Sequence, residues 1–346
     1  VSGKVGVCMV TSGPGATNLI TGIATAYMDS IPMVAITGQV PSNLLGRDIF
    51  QEVDITGAVA PFSKHSYLVK DANDIPRIVK EAFHIASTGR PGPVLIDIPI
   101  DVQEQSLKKF YYPEEVSIRG YKPSVKGNDL QIKRVVEAIS RSKQPLICAG
   151  GGVWLADAKE ELLELAERCS IPVVKTMMGL GLLPTDHPLN MGMIGAHGNH
   201  CANKALAKAD LLIMVGTRAA DRAVMDPGEI QRRMATIHID VDPAEIGKIR
   251  DADVPIVGDL KGVLAGMLEV LEKDGAVPRD EQWIADIGAW RARYPFYHPS
   301  MAENEQTDEI VPELVIAELG RQLDPAASIV TTEVGQHQMW AAQYYK

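Results

Sequence analysis

Short apolar runs alternate along the chain with longer segments of helical periodicity. The runs are four to seven residues long, rich in β-branched side chains, and apolar at successive positions. Continuous runs of this kind are typical of parallel strands that helices cover on both faces. They lie at residues 5–11, 33–37, 94–98, 146–149, 172–175, 210–216, 235–241 and 328–332. The pattern predicts an α/β protein built from parallel sheets in three-layer domains.

Helical segments are predicted between these strands. Asp157 precedes one of them, and Thr307 or Asp308 precedes the last, as N-capping residues do. The segments lie at residues 16–28, 74–88, 129–142, 157–169, 201–208, 259–273, 280–293 and 309–323.

Two polar stretches without periodicity, at about 102–128 and 294–307, interrupt this alternation. Stretches of this composition usually connect compact units. We therefore predict one α/β domain at 1–115, a second at 128–275, and the beginning of a third at 305–346.

Composition narrows the class of protein. The chain has 34 Lys and Arg against 44 Asp and Glu, a formal charge of −10, which gives no electrostatic reason to bind nucleic acid. Its cysteines, Cys8, Cys148, Cys169 and Cys201, have no metal-type spacing and suit reduced thiols of a cytoplasmic protein. An apolar run of about 18 residues is absent from the sequence, so we expect neither a membrane span nor membrane partners.

Two segments of the first predicted domain follow strands. SGPGATN at 12–18 places Gly13 and Gly15 where a strand turns into a helix, so the backbone could approach a ligand closely. The loop after the second strand carries polar and aromatic side chains at the strand's carboxyl end, where ligands of parallel sheets collect. A plain tight turn and a solvated loop are the alternatives. The loop residues are Gln39, Pro41, Phe50, Gln51 and Glu52.

A distributed set of glycine-rich and polar segments marks the strand ends of the middle domain. Glycines let a backbone approach a pyrophosphate, Arg218 supplies a forked cation, and Asp240 can accept hydrogen bonds from ribose hydroxyls. The first glycines and Asp240 lie about 90 residues apart, not the roughly 20 of the nicotinamide fingerprint, so FAD or another adenine-containing group fits better. Singly, each segment could be an ordinary turn, and Arg218 could pair with Asp221. The segments are 149–153, 175–181, 193–200, 215–222, 238–242 and 257–259.

Two further motifs carry weaker signals. His197 and His200 have HxxH spacing, but without a third ligand nearby in the sequence a zinc site is disfavoured. TTEVGQHQMW at 331–340 again runs from a predicted strand through a glycine into a helix, which could bind a diphosphate or be an ordinary helix start.

Taken in order, these segments resemble the catalytic subunits of acetohydroxyacid (acetolactate) synthases across nearly the whole chain. That family has a pyrimidine-binding domain, a central FAD-binding domain and a diphosphate-binding domain. The resemblance implies that the chain holds the rear of the first, all of the second and the beginning of the third. It rests on VTSGPGATN, ITGQVP, FQE, GRPGPVLIDIP, MGLG, HIDVDPAEIGK and EVGQHQMWAAQ.

The resemblance also implies roles for individual residues. Gln51 is expected beside the thiamine ring and the reacting substrate, and Gly335, Gln336 and His337 at the diphosphate of thiamine diphosphate. The positions that match FAD-contacting residues are Arg90, Gly151, Thr176, Met177, Ile194, Gly195, Ala196, His197, Gly216, Thr217, Arg218, Asp240, Val241 and Asp259.

Three residues, Pro41, Lys64 and Asp221, are expected by the same resemblance to line the approach used by substrates and inhibitors.

The sequence departs from the family's pattern at two places, one beside the expected flavin and one at an expected substrate or inhibitor contact. The family's RFDDR string is replaced by one containing Ala219 and Ala220, and Ile100 stands where lysine is common.

The implied reaction is decarboxylation of pyruvate and transfer of the two-carbon unit to a second 2-oxo acid, with thiamine diphosphate as electron sink. The products are 2-acetolactate or 2-aceto-2-hydroxybutyrate, precursors of branched-chain amino acids. FAD is expected to be largely structural. A homodimer or homotetramer and a regulatory small subunit are the expected partners.

Two groups needed for turnover lie outside this sequence by the same resemblance. They are the glutamate that activates the aminopyrimidine and the GDG…N motif that binds Mg²⁺, so no metal ligand is assigned and the polypeptide alone is expected to be inactive. Glyoxylate carboligase, pyruvate oxidase and a non-catalytic nucleotide-binding module are the alternatives.

Overall fold

A computed structural model describes residues 2–107, 109–218, 220, 223, 234–275, 280–296, 310–324 and 326–345. The chain divides into two compact units, Val1–Pro123 and Ser124–Lys346. The boundary falls inside the polar stretch predicted to be a linker. The assignment of three domains stays a prediction.

In the described part of the first unit, four parallel strands form one sheet in the order β1-β2-β4-β3. The strands are β1 (Gly6–Val10), β2 (Met33–Gln39), β3 (His65–Leu68) and β4 (Pro93–Pro99). The helices are α1 (Pro14–Thr17), α2 (Ile20–Met28), α3 (Ile55–Val59), α4 (Ile75–Ser87) and α5 (Ile100–Gln103).

Helices cover both faces of this sheet because the side chains of its central strands alternate between two cores. Ile96 faces one core, together with Ile85 of α4. Leu95 faces the other, together with Ile23 of α2 and Val59 of α3. The continuous apolar runs of β2 and β4 thus arise from strands buried on both sides, whereas the edge strand β1 exposes Val7 and Met9.

In the described part of the second unit, six parallel strands form one sheet in the order β10-β9-β8-β5-β6-β7. The strands are β5 (Pro145–Ala149), β6 (Val173–Lys175), β7 (Asn190–Met193), β8 (Leu211–Val215), β9 (Ala235–Asp240) and β10 (Val254–Val257). The helices are α6 (Asp129–Arg141), α7 (Gly151–Leu155), α8 (Lys159–Cys169), α9 (His200–Lys208), α10 (Leu260–Asp274), α11 (Glu281–Arg293), α12 (Pro312–Gln322) and α13 (Gln336–Tyr344).

The strand order gives this sheet a topological switch point. From β5 the chain builds β6 and β7 on one side, then crosses to build β8, β9 and β10 on the other. The connections after β5 and β8 therefore leave the sheet in opposite directions, which opens a crevice at their carboxyl ends. Helices α6, α8 and α10 cover one face, and α9 and α11 cover the other. The predicted α/β class with parallel, three-layer sheets is confirmed.

The predicted strand at 328–332 is wrong. Within the described residues this segment forms neither strand nor helix, and Ile329 is exposed. An apolar run becomes a strand only when a neighbouring backbone pairs with it, and here the described residues offer none. The last predicted helix begins at Pro312, while Thr307 and Asp308 lie outside the described residues.

Asp157 does not begin a helix as predicted. It has φ of +52° and ends α7: its amide donates to Trp154 O (3.1 Å), and that of Ala158 donates to Val153 O (3.0 Å). This is the double hydrogen bond of a Schellman motif, whose left-handed position tolerates Asp. Helix α8 therefore starts after Ala158.

The segment predicted as one helix at 16–28 is also interrupted, because it forms α1 and α2 with a break at Asn18 and Leu19. Strands β3, β7 and β10 have no counterpart in the prediction. Their sequences, HSYL, NMGM and VPIV, are four residues long and two of them are partly polar. None of the helices in the described ranges is both long enough and apolar enough to cross a membrane.

Candidate functional site

The carboxyl edge of the first sheet brings together the turn after β1 and the segment 40–54 after β2, called here the Gln51 loop. Gly13 has φ 59° and ψ −120°, the first central position of a type II′ turn. A Cβ on Gly13 would lie 2.8–2.9 Å from the Cβ, Cα and O atoms of Gln51. Gln51 itself has φ of +60°. The two segments can approach this closely only because residue 13 is glycine.

Two carboxylates stabilise the Gln51 loop: that of Glu52, within the loop, and that of Asp101, in α5. Glu52 accepts hydrogen bonds from the amides of Gly46 and Ile49, the latter at 3.2 Å. These amides, that of Gly46 most strongly, hold the pKa of Glu52 below its usual value. Asp101 accepts from the amide (2.9 Å) and hydroxyl of Ser42, which likewise lowers the pKa of Asp101. The loop is thus shaped before any ligand binds.

A buried polar group lies beneath this loop. Asp97, in the apolar run of β4, is 1% exposed and accepts hydrogen bonds from Thr37 and Gln39 of β2. Burial raises the pKa of Asp97 to about 6, although both hydrogen bonds favour its charged form. Sequence reasoning missed Asp97; the available signal was a lone acid inside VLIDI.

Asp97 makes a testable contribution to stability. Its pKa in the folded protein lies above the ordinary value of 3.8, so between about pH 4 and 6 the folded state binds a proton that the unfolded state does not. Stability should therefore rise as pH falls through this window, by at most about 3 kcal/mol. Asp97→Asn cannot ionise and should lose this component. Urea unfolding of both proteins from pH 4.5 to 8 measures it, and equal slopes would contradict the assignment.

The other predicted residues of this unit lie at two ends of the sheet. Pro41, at the start of the Gln51 loop, lies at the carboxyl end. Lys64 precedes β3 at the amino end, where its Nζ donates to the carbonyls of Ile85 and Thr88 (2.6 Å) that end α4. Arg90 Nε donates to Ser30 Oγ (2.9 Å), also near the amino end. Within this unit the structure does not bring Lys64 or Arg90 to Gln51.

The carboxyl edge of the second sheet gathers the residues predicted to contact FAD, except Arg90, which lies in the first unit. Each ends or follows a strand, from β5 through β10, so all lie along one edge. They are Gly151, Thr176, Met177, Ile194, Gly195, Ala196, His197, Gly216, Thr217, Arg218, Asp240, Val241 and Asp259. Asp221 and Ala219 lie outside the described residues.

The glycines of this edge pack against one another at the switch point. A Cβ on Gly150 would lie 2.2 Å from Gly216 O, and one on Gly152 would lie 2.7 Å from Gly216 Cα. Gly216 has φ of +57°. The connections after β5 and β8 therefore touch backbone to backbone. Beside them, Met177 and Met178 expose apolar side chains, a surface that suits a planar ring.

Three polar side chains fix the neighbouring turns. His238 Nε2 donates to Thr217 O (2.9 Å), and burial lowers the pKa of His238. Asp240 Oδ1 accepts from Asp242 N (2.9 Å). Asp259 caps α10 by accepting from Gly262 N (3.2 Å).

Lys175 begins the predicted segment 175–181, but sequence reasoning did not single it out. It ends β6 directly before Thr176, is 4% exposed, and burial lowers its pKa to about 8. An ionisable side chain at the end of a short apolar run was the available signal.

The predicted diphosphate contacts begin α13. Gly335 is its N-cap residue, followed by Gln336 and His337. Farther along the helix, Gln343 Nε2 donates to His197 O (2.5 Å). The rings of His200 and Tyr294 contact each other, with centroids 4.2 Å apart and planes tilted by 45°. The described residues contain no cluster of three His, Cys, Asp or Glu side chains suited to a metal.

Comparison with known proteins agrees with this architecture. Residues 1–58 match the model for the thiamine pyrophosphate enzyme N-terminal TPP binding domain, and residues 132–267 match that for the thiamine pyrophosphate enzyme central domain. The chain is 48% identical over 345 residues to the acetolactate synthase large subunit of Corynebacterium glutamicum, covering 99% of this chain and 54% of that protein.

Two further relatives give the same result. Identity is 44% over 346 residues to the acetolactate synthase large subunit of Buchnera aphidicola, with 100% of this chain and 60% of that protein covered. The chain is also 47% identical over 347 residues to the acetolactate synthase of Mycobacterium leprae. That match covers 99% of this chain and 54% of that protein. The chain spans just over half the length of these relatives. It belongs to the thiamine pyrophosphate enzyme family and is similar, along nearly its whole length, to acetolactate synthase large subunits.

Proposed function

We propose that the whole protein carrying this chain is a thiamine-diphosphate-dependent acetolactate synthase. It decarboxylates pyruvate and joins the two-carbon unit to a second 2-oxo acid, giving 2-acetolactate or 2-aceto-2-hydroxybutyrate for branched-chain amino acids. The identity of 44–48% to acetolactate synthases, spread over 99–100% of the chain, is the observation that carries the proposal.

Gln51 and the residues that begin α13 are the proposed thiamine diphosphate contacts in this chain. Thiamine diphosphate supplies the electron sink for decarboxylation. The protein's contribution is to hold Gln51 in place through Gly13 and the carboxylate of Glu52. Pro41, Lys64 and Asp221 are proposed to line the substrate approach on the resemblance alone, since Pro41 and Lys64 lie at opposite ends of the first sheet. Mg²⁺ is proposed as the partner of the diphosphate, and no metal ligand is assigned in this chain.

FAD is the proposed occupant of the second sheet's carboxyl edge. The backbone-to-backbone packing of Gly150 and Gly152 on Gly216 at a switch point fits a dinucleotide pyrophosphate, which needs turns without side chains. The exposed methionines suit the flavin ring, and Asp240 suits a ribose hydroxyl. Arg90 is proposed as a further contact.

We propose that the protein assembles into an oligomer and binds a regulatory small subunit. Two of the relatives are called large subunits, which supports a regulatory small subunit as a partner of this protein too. A homodimer or homotetramer and a cytoplasmic location complete the proposal.

Product analysis of the purified whole protein tests the proposed reaction. With pyruvate, thiamine diphosphate, Mg²⁺ and FAD, mass spectrometry should detect 2-acetolactate in step with CO₂ release. Peroxide as the main product, or tartronate semialdehyde formed from glyoxylate alone, would instead assign a pyruvate oxidase or a glyoxylate carboligase.

Equilibrium dialysis of the whole protein tests the cofactors independently of turnover. We expect uptake of both FAD and thiamine diphosphate. Uptake of FAD without any thiamine diphosphate would favour the alternative of a non-catalytic nucleotide-binding module.

A further inference from the structure

A chain of buried hydrogen bonds links the first sheet to the Gln51 loop. Thr37 Oγ1 donates to Asp97 Oδ1 (2.7 Å), and Gln39 Nε2 donates to Asp97 Oδ2 (2.9 Å). The same Nε2 donates to Val53 O (2.7 Å), while Gln39 Oε1 accepts from Val40 N (2.9 Å). Thr37, Gln39 and Asp97 are each at most 5% exposed. Both the nitrogen and the oxygen of the Gln39 amide therefore have hydrogen-bond partners.

Asp97 selects the orientation of that amide. If the amide were turned over, Gln39 Oε1 would face the Asp97 carboxylate, which is also an acceptor. Nε2 would face the Val40 N–H group, which is also a donor, so neither hydrogen bond could form. Within the described part of the chain, the hydrogen-bond partners of this carboxylate are two neutral donors, Thr37 and Gln39. Burying an acid on such partners is costly, which points to a role beyond packing.

Besides Val40, which directly follows Gln39, the network reaches the Gln51 loop at Val53. Val53 lies two residues after Gln51, whose φ is +60°, and next to Glu52, whose carboxylate closes the loop onto the Gly46 amide. On the other side Gly13 leaves no room for Gln51 to shift toward β1. The Val53 carbonyl therefore ties the loop to the buried sheet just after the residue proposed to face the thiamine.

We propose that Gln39 is a positioning residue: oriented by Asp97, it holds the Val53 carbonyl and so sets the position of Gln51. Gln39 acts through the loop and does not touch the reacting atoms. The proposal rests on the proposed function only for the identity of the reaction that Gln51 serves.

The test compares Gln39→Leu with Thr37→Val in the whole protein. Gln39→Leu removes the tie to Val53, whereas the matched control Thr37→Val removes one hydrogen bond from the same carboxylate and leaves that tie intact. In Gln39→Leu, amide hydrogen exchange of residues 46–53 should quicken about tenfold or more, and kcat should fall by a similar factor with the KM for pyruvate changed less. In Thr37→Val both should change much less than in Gln39→Leu, although the lost hydrogen bond to buried Asp97 should cost about 1–3 kcal/mol of overall stability.

A double variant, Gln39→Leu with Asp97→Leu, keeps the test informative if the single variant folds poorly. Replacing both partners by apolar groups removes the unpaired carboxylate and should recover part of the stability, although the Thr37 hydroxyl also loses its partner. The tie to Val53 stays lost, so exchange in 46–53 should stay fast and kcat low. Normal exchange and kcat in either Gln39 variant, or equal effects in Thr37→Val, would overturn the proposal. If the parent protein makes no acetolactate, the proposed function fails, while the exchange comparison still decides the role of Gln39.

Discussion

Gly13→Ala in the whole protein is expected to lower kcat/KM for pyruvate by about 100-fold, because a displacement near 1 Å at a reacting site costs roughly this much. Alanine would have to adopt φ 59° and ψ −120°, a conformation that costs an L-residue about 1–3 kcal/mol. Its Cβ would also lie 2.8–2.9 Å from the backbone and Cβ of Gln51. Since backbone cannot swing aside as a flexible side chain does, the Gln51 loop must move. Steady-state kinetics with pyruvate measure the effect.

Gly120→Ala is the matched control for Gly13→Ala. Gly120 also has a positive φ, +83°, but a Cβ there meets no described atom within 4 Å. The variant should lose about 1–2 kcal/mol of stability and keep its kcat/KM. Equal activity losses in the two variants would mean that backbone strain, and not crowding of Gln51, explains the effect.

Gly150→Ala is expected to weaken FAD binding by about 100-fold or more and to destabilise the second unit by about 3 kcal/mol. Gly150 has an ordinary φ of −112°, so alanine pays no conformational cost there. The cost is overlap: the new Cβ would lie 2.2 Å from Gly216 O and 2.8 Å from Thr217 Cβ. The connections after β5 and β8 must separate, and this changes the shape of the crevice between them. Flavin fluorescence on titration with FAD, alongside urea unfolding, checks both effects.

Gly288→Ala supplies the control in the same unit. Gly288 lies in α11, where a Cβ meets no described atom within 4 Å. Alanine should add roughly 0.5–1 kcal/mol of stability by favouring the helix and leave FAD affinity unchanged. Unimpaired FAD binding in Gly150→Ala would refute the assignment of the crevice.

The periodicity of the sequence predicted most strands and the parallel α/β class, because strands buried on both faces must be continuously apolar. It did not predict β3 and β7, which are short and partly polar and depend on pairing with β4 and β6. It predicted a strand at 328–332 that the described residues do not form, because pairing, which periodicity cannot show, decides whether an apolar run becomes a strand.

The candidate sites, too, were predicted in part from the sequence and decided in part only by the tertiary structure. The sequence by itself determined that glycines and polar residues follow the predicted strands β5, β6, β8 and β9, whereas the placement of residues 194–197 and 259 after β7 and β10 came from the structure. Only the tertiary structure decided that Gly13 is crowded by Gln51, that Gly150 lies against Gly216, and that Asp97 orients Gln39. The physical reason is that a residue's type is local, whereas crowding and hydrogen bonding depend on which distant segments the sheet order brings into contact. Residues 39 and 97 meet only because β2 and β4 are neighbours.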